Sequence, residues 1–319
     1  MRSSLSIRCS RETDGVSNMA EINIFPIDLQ ALSKPTCKLI TAVSNSIGIL
    51  YEPTRIRRRA KAKAAARTIL AKNRADVQDI EARAAERLHN RELRRQRNIE
   101  SITHRALATL PQTVSDDPVD EDWIAHFFAQ CQDVGNEQMQ SVWATILAGE
   151  VARPGSFSLR TLNVVKVLRQ HDAQLFNQFC TFVWHDDGDH IPILTFKILE
   201  PAYSATVIYG ILLHLQWLGL IKLHDLSGLF RSIEHGLLHL RYFGHSYVLK
   251  FPGDLKKLRV GLAILTDVGQ ELAPVASPMP DNAYRDRCIA DWRETGIKVI
   301  ERPSPPSPPA QSDPPQAAL

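Results

Sequence analysis

The densest cluster of residues able to do chemistry is His185-Asp186-Asp187-Gly188-Asp189-His190. Imidazole and carboxylate ligands suit hard and borderline cations. Six consecutive residues, however, cannot easily aim four ligands at one centre. Asp-Gly between two apolar runs is a hairpin signal, so a polar turn is expected here and no metal is assigned. His214, His224, His235, His239 and His245 are scattered. His235 and His239 are four apart, but there is no H-E-x-x-H and no acidic partner at helical spacing. Nucleophile and phosphate motifs are absent: no G-x-S-x-G, no glycine-rich phosphate loop, no G-x-G-x-x-G. Gly155-Ser156-Phe157-Ser158 lies between two predicted helices, where Ser156 or Ser158 acts as a cap. Glu150 and Arg153 beside it are expected to close a local ion pair or cap. No catalytic, cofactor-binding or metal residue is assigned, and the reading leans away from an enzyme.

The remaining chemistry is electrostatic. Arg59, Lys63 and Arg67 repeat every four residues, as do Arg83, Arg87, Arg91 and Arg95. Each set forms a cationic stripe on one helix face, and such stripes can track phosphates with salt-dependent affinity. The competing reading is a solvated face balanced by Asp76, Asp79, Glu81, Glu86 and Glu92.

These stripes need a long helix to carry them. From Thr54 to Leu110 no Pro or Gly interrupts the chain. Fully helical, the segment would span roughly 85 Å. Val77, Ile80, Ala84 and Leu88, then Ile99, Ile102, Ala106 and Leu110, give it a thin apolar seam suited to a coiled-coil partner. Self-association through residues 54–110 is the expectation. Upstream, residues 36–50 form an amphipathic helix with Leu39, Ile40, Val43, Ile47 and Leu50 on one side. Residues 1–35 are read as a disordered extension, with Met19 a second start.

A helical unit over 118–182 follows. Asp120 or Asp122 caps a helix burying Trp123, Ile124, Phe127, Phe128 and Cys131. Met139, Val142, Trp143, Ile146 and Leu147 then mark one helix face at i, i+3, i+4, i+7, i+8. Trp143, Ile146 and Leu147 should be buried against the Trp123 helix and the helix starting near Ser158. Residues 183–275 read as a winged-helix-like α/β module: a hairpin whose flanking runs 179–184 and 191–196 meet at a 185–190 turn, a helix from Ser204 to Leu218, strands at 219–224, 237–242 and 246–251, and a Thr266-capped helix. The apolar stretch Thr206–Ile221 reads as a buried helix rather than a membrane span. It carries no Lys or Arg, so it lacks a groove-reading surface. Residues 276–319 read as a Pro-rich, mostly disordered tail.

The fold class is therefore mainly α with a small α/β part. The 319 residues carry a net charge of only +3, yet the span from Arg55 to Arg97 holds 15 basic and 5 acidic residues. That is a local charge of +10 on a body summing to −7. A basic arm on an acidic body points to an anionic partner or to internal docking. Five dispersed cysteines without a C-x-x-C pair fit a reducing compartment. The N-terminus lacks the apolar core of a signal peptide.

Gly48-Ile-Leu-Tyr-Glu-Pro53, Arg95-Gln-Arg-Asn-Ile-Glu-Ser-Ile102, Val119-Asp-Glu-Asp-Trp123, and above all Trp143-Ala-Thr-Ile-Leu-Ala-Gly-Glu-Val151 running into Pro154-Gly-Ser-Phe-Ser-Leu-Arg-Thr-Leu162, carry a resemblance. Over residues 36–275 the chain resembles a bacterial family built on one domain of unknown function. More distantly it resembles abortive-infection alpha proteins of phage defence. Neither resemblance supplies catalytic residues, and the second is an analogy. The expected role is a cytoplasmic, non-enzymatic interaction or assembly protein in bacterial stress or phage defence, with a protein partner or its own copy. Two alternatives stand beside it. One is nucleic-acid binding through the basic arm. The other is action at an anionic inner-membrane surface through residues 36–63.

Overall fold

The computed structural model describes residues 33–47, 75–186, 188–200, 202, 204–224, 228–233, 235–253 and 255–302. The chain divides into two compact units between Val167 and Leu168.

The first unit is helical among its described residues: α1 (Lys34–Ile47), α2 (Ala75–Thr109), α3 (Glu121–Cys131), α4 (Glu137–Ala152) and α5 (Leu159–Val167). Asp120 caps α3 by accepting from the Asp122 and Trp123 amides, and Asn136 caps α4 through the Met139 amide. Each cap satisfies amides that a helix start otherwise leaves unpaired. Helix α4 is the centre of the unit. The second half of α2 packs along it through Ile99, Ile102 and Ala106, and α1 packs on α3 and α4. Asn98 and Gln140 are buried at this seam and satisfied: Asn98 Nδ2 donates to the Gln132 carbonyl (2.9 Å), Gln140 Nε2 to that of Val134 (2.9 Å). Trp143, Ile146 and Leu147 are fully buried, and the Trp143 ring meets Phe127 edge-on at 5.2 Å.

The helix expected over 54–110 is seen from Ala75 to Thr109, and residues 54–74 lie outside the described ones. The apolar face expected on 36–50 is present as far as its side chains are described. Leu39, Ile40 and Val43 are buried in the core of this unit.

The second unit begins with α6 (Gln170–Cys180), which is grouped with the strands rather than with the preceding helices. Strands β1 (Val183–Asp186) and β2 (Asp189–Pro192) form the expected hairpin, with His185 opposite His190. The chain continues through α7 (Phe196–Leu199), α8 (Ala205–Trp217), β3 (Ile221–Leu223), β4 (Leu229–Ser232), β5 (Leu237–Tyr242), β6 (His245–Lys250), β7 (Lys257–Gly261), β8 (Ala263–Leu265) and α9 (Asp267–Leu272). Thr266 caps α9 by accepting from the Gly269 amide. Helix α10 (Asn282–Glu294) and strand β9 (Lys298–Arg302) close the unit. Strands β3–β8 and β4–β7 pair in twos, while β2-β1-β5-β6-β9 make a five-stranded antiparallel sheet.

Two expectations are corrected here. Residues 276–319 are not a disordered tail throughout, since α10 and β9 are ordered elements. Asp281 caps α10, and Tyr284, Cys288 and Trp292, spaced i, i+4, i+8, bury one helix face. The prolines at 274, 278 and 280 precede this helix and hide its pattern. The strand expected from residue 179 begins only at Val183, because α6 runs to Cys180 and its Thr181 cap bonds back to the helix.

Candidate interaction surfaces

The motif that stands out in the sequence builds a buried brace. Glu150 at the end of α4 is 2% exposed. Its two oxygens accept from the Gly155 amide (2.6 Å) and the Phe157 amide (3.0 Å). Gly155 has φ +83°, a left-handed turn that glycine adopts without a steric cost. A Cβ at Gly149 would fall 2.8 Å from the Phe157 ring, and the Phe157 carbonyl accepts from Trp123 Nε1 at 2.7 Å. Ser158 Oγ accepts from the Thr161 amide and so caps α5, while Ser156 Oγ donates to the Arg153 carbonyl. Trp143, Leu147, Glu150, Ser156 and Ser158 thus hold α3, α4 and α5 together. Their geometry is that of a joint, not of a cleft.

Of the arginine stripes, Arg59, Lys63 and Arg67 lie outside the described residues. The four distal arginines differ from one another. Arg83 pairs with Asp79 and Arg91 with Glu92 on the exposed helix. Arg95 is a structural clamp: its Nε and Nη2 reach both oxygens of Asp133 at 2.9 and 2.8 Å, and Arg94 joins them. The bond from Arg95 holds the Asp133 carboxyl below its usual range. Along the first half of α2, Ile80 and Leu88 remain exposed.

The six-residue cluster of the second unit is split by strand alternation. Asp186 and Asp189 pair with Arg231 at 2.5 and 3.2 Å. His185 and His190 alternate to the other face of the sheet, their rings 4.7 Å apart and edge-on. Gln270 Oε1 accepts from the His190 amide (2.9 Å) and from Nδ1 (3.1 Å), while Gln270 Nε2 donates to the His190 carbonyl (2.9 Å). This fixes the proton on Nδ1 and leaves Nε2 as an acceptor. The pair lines a cavity of about 330 Å³ with Val183, Phe243, Pro274 and Pro278. Cys180 also borders it, but burial pushes its thiol well up, which disfavours the nucleophilic thiolate.

Burial, then the neighbouring His190 and Arg241, pushes His185 down to about 4. Burial lowers His190 too, against the opposing effects of Gln270 and Asp189. Both rings are neutral in the fold at pH 7. The unfolded chain titrates near 6.5, so on acidification it takes up these protons first. The stability contribution is complete above about pH 6.5 and is lost as pH falls toward 4. We expect the thermal midpoint to drop between pH 7 and 5, and His185→Gln to flatten that drop. Carboxylates held low by partners, such as Asp133, act only at lower pH.

Helix α8 departs from its expected burial. Residues 205–217 contain no Asp, Glu, Lys or Arg, yet only Ile208, Leu212 and Leu215 are buried. Its two polar side chains with internal partners are spent inside the unit: His214 Nε2 meets Asp172 at 2.8 Å, and Gln216 Oε1 accepts from the Leu223 amide at 2.7 Å. Trp217 is 80% exposed, Val207 57% and Tyr209 51%. Apolar residues all round a helix ordinarily mark full burial, which is why the sequence pattern hid this surface. No helix among the described residues is long and apolar enough to cross a membrane.

A bundle with a buried joint and a sheet-containing unit bearing an exposed apolar helix define a helical and antiparallel-sheet protein with open surfaces. The chain belongs to the family described as "Protein of unknown function (DUF2806)", whose model matches residues 82–288. No curated protein and no solved structure matches it.

Proposed function

We propose that this protein is a non-enzymatic assembly protein whose α8 face docks a second copy of the chain. The exposure of Trp217 on a helix without charge carries this reading. Isologous contacts require a self-complementary patch, and an uncharged face meets its own copy without like-charge repulsion. Gly210, with no atom within 4 Å of where a Cβ would stand, leaves room for close helix approach. The order α8, β3, a wing-like β4–β7 pair and α9 fits a winged-helix-like module used for protein contact. A coiled-coil contact through Ile80, Ala84 and Leu88 of α2 is a second component, continuing the stripe that Ile99 and Ile102 bury on α4. The abortive-infection resemblance favours a cytoplasmic role in bacterial phage defence. The membrane reading is less favoured, because Leu39, Ile40 and Val43 are already used in the core.

Sedimentation of the full chain at tens of micromolar tests this. Wild type should run above the monomer mass, and Val207→Lys with Trp217→Lys should return it to monomer. An unchanged mass in that variant, with loss of assembly only in Ile80→Lys with Leu88→Lys, would move the contact to the arm.

A further inference from the structure

The five-stranded sheet has one face packed on α10 and one face with a different composition. Register assigns the residues. Arg302 pairs with Ser246, Ser246 with Arg241, Arg241 with His185, and His185 with His190. Directly paired residues point to the same side of an antiparallel sheet, so these five form one cross-strand row. Two further rows share that side: His239, Val248 and Ile300, then Leu237, Lys250 and Lys298. Trp184, Tyr242 and Tyr247 alternate to the opposite side, where Trp184 meets Trp292 at 4.9 Å.

The outer side carries four cations, Arg241, Lys250, Lys298 and Arg302, all exposed. No Asp or Glu of the five strands falls on it. None of the four makes an ion pair or a side-chain hydrogen bond among the described residues. Lys250 stands directly opposite Lys298, an arrangement of like charges that weakens a strand pair. Lysines on an edge strand guard against aggregation, which accounts for Lys298 on β9. It does not account for Arg241 and Lys250, which sit on interior strands. The row ends in the cavity lined by His185, His190 and Phe243. Phe243 has φ +42°, a conformation unfavourable for a side chain of its size, in the two-residue β5–β6 turn.

We propose that this sheet face binds single-stranded nucleic acid, with phosphates on Arg241, Lys250, Lys298 and Arg302 and one base in the Phe243 cavity. The inference is independent of the α8 contact. The geometry favours a single strand over a duplex. A major groove about 12 Å wide admits a helix or a two-stranded ribbon, whereas the cations here are spread across three adjacent strands, β5, β6 and β9. Unstacked bases are recognised by stacking on aromatic rings and by hydrogen bonds to their edges. Phe243 supplies the ring. The two imidazoles, neutral at pH 7, offer donors and acceptors for a base edge rather than charge for a phosphate.

The test is fluorescence anisotropy of a labelled 12-nucleotide single strand with the full-length protein across a salt series. Wild type should bind at 50 mM salt, more tightly than to a duplex of the same length. Changing Arg241, Lys250, Lys298 and Arg302 together to Gln should weaken binding at least tenfold and flatten the salt slope by about 0.7 per phosphate contact. These are surface positions, and an unchanged circular dichroism spectrum would show the variant folded. Phe243→Gly suits the backbone angle; it should weaken binding about fivefold or more without changing the slope. Arg83, Arg87 and Arg91 changed to Gln should leave affinity unaltered. The proposal falls if wild type does not bind, if only the α2 variant loses affinity, or if the four-Gln variant binds as wild type. It also falls if a mononucleotide or polyglutamate competes as well as the unlabelled strand.

Discussion

Trp143→Ala should lower the folding stability by roughly 3–5 kcal/mol, the range for truncating a buried aromatic. The indole is fully buried at the centre of α4, against the Phe127 ring at 5.2 Å, and Leu39, Ile102 and Ile124 are equally buried in the same unit. A close-packed core cannot collapse to fill so large a void, so both the transfer and the cavity contributions are lost. Trp143→Phe separates shape from polarity. The indole Nε1 is buried without a hydrogen-bond partner, so phenylalanine keeps much of the ring contact and removes an unsatisfied donor. It should cost well under half of the alanine effect. Urea unfolding with unchanged m-value checks both substitutions. A midpoint unmoved by Trp143→Ala would mean that α4 is not the core helix.

How far the sequence discloses this depends on the range of the interactions. Met139, Trp143, Ile146 and Leu147 declare α4 within a dozen residues, since helix periodicity is local. The β1–β2 hairpin and the Thr266 cap are signalled locally as well, and both elements stand where they are expected. The outer sheet face is the opposite case. Arg241, Lys250, Lys298 and Arg302 are spread over three strands, and only the β5–β6–β9 register brings them to one side. Helix α8 fails for another reason. Its pattern has no polar side to contradict full burial, and nothing local reveals that Trp217 faces outward. For the arginine stripe, spacing correctly marks a helix face. It cannot reveal that Arg95 is held by Asp133, some forty residues on.

Glu150→Ala should destabilise the first unit by about 2–6 kcal/mol, because two buried amides lose their acceptor at roughly 1–3 kcal/mol each. The carboxylate accepts from both the Gly155 and Phe157 amides, and its bonds to them are charge-assisted. Glu150→Gln tests that assignment. It keeps the shape but offers one acceptor oxygen in place of two, so it should fall between wild type and alanine. Gly149→Ala attacks the same joint from the other side, since its methyl would press on Phe157 at 2.8 Å. Phe157 carries the carbonyl that Trp123 Nε1 needs, so its displacement should loosen α3 together with the turn. If the brace acts as one unit, Gly149→Ala and Glu150→Ala combined should cost less than the two separate losses added together, by about 0.5 kcal/mol or more. Strict additivity in that cycle would show the turn and the Phe157 contact to be independent. The conspicuous run from Trp143 to Leu162 would then be two neighbouring features rather than one joint.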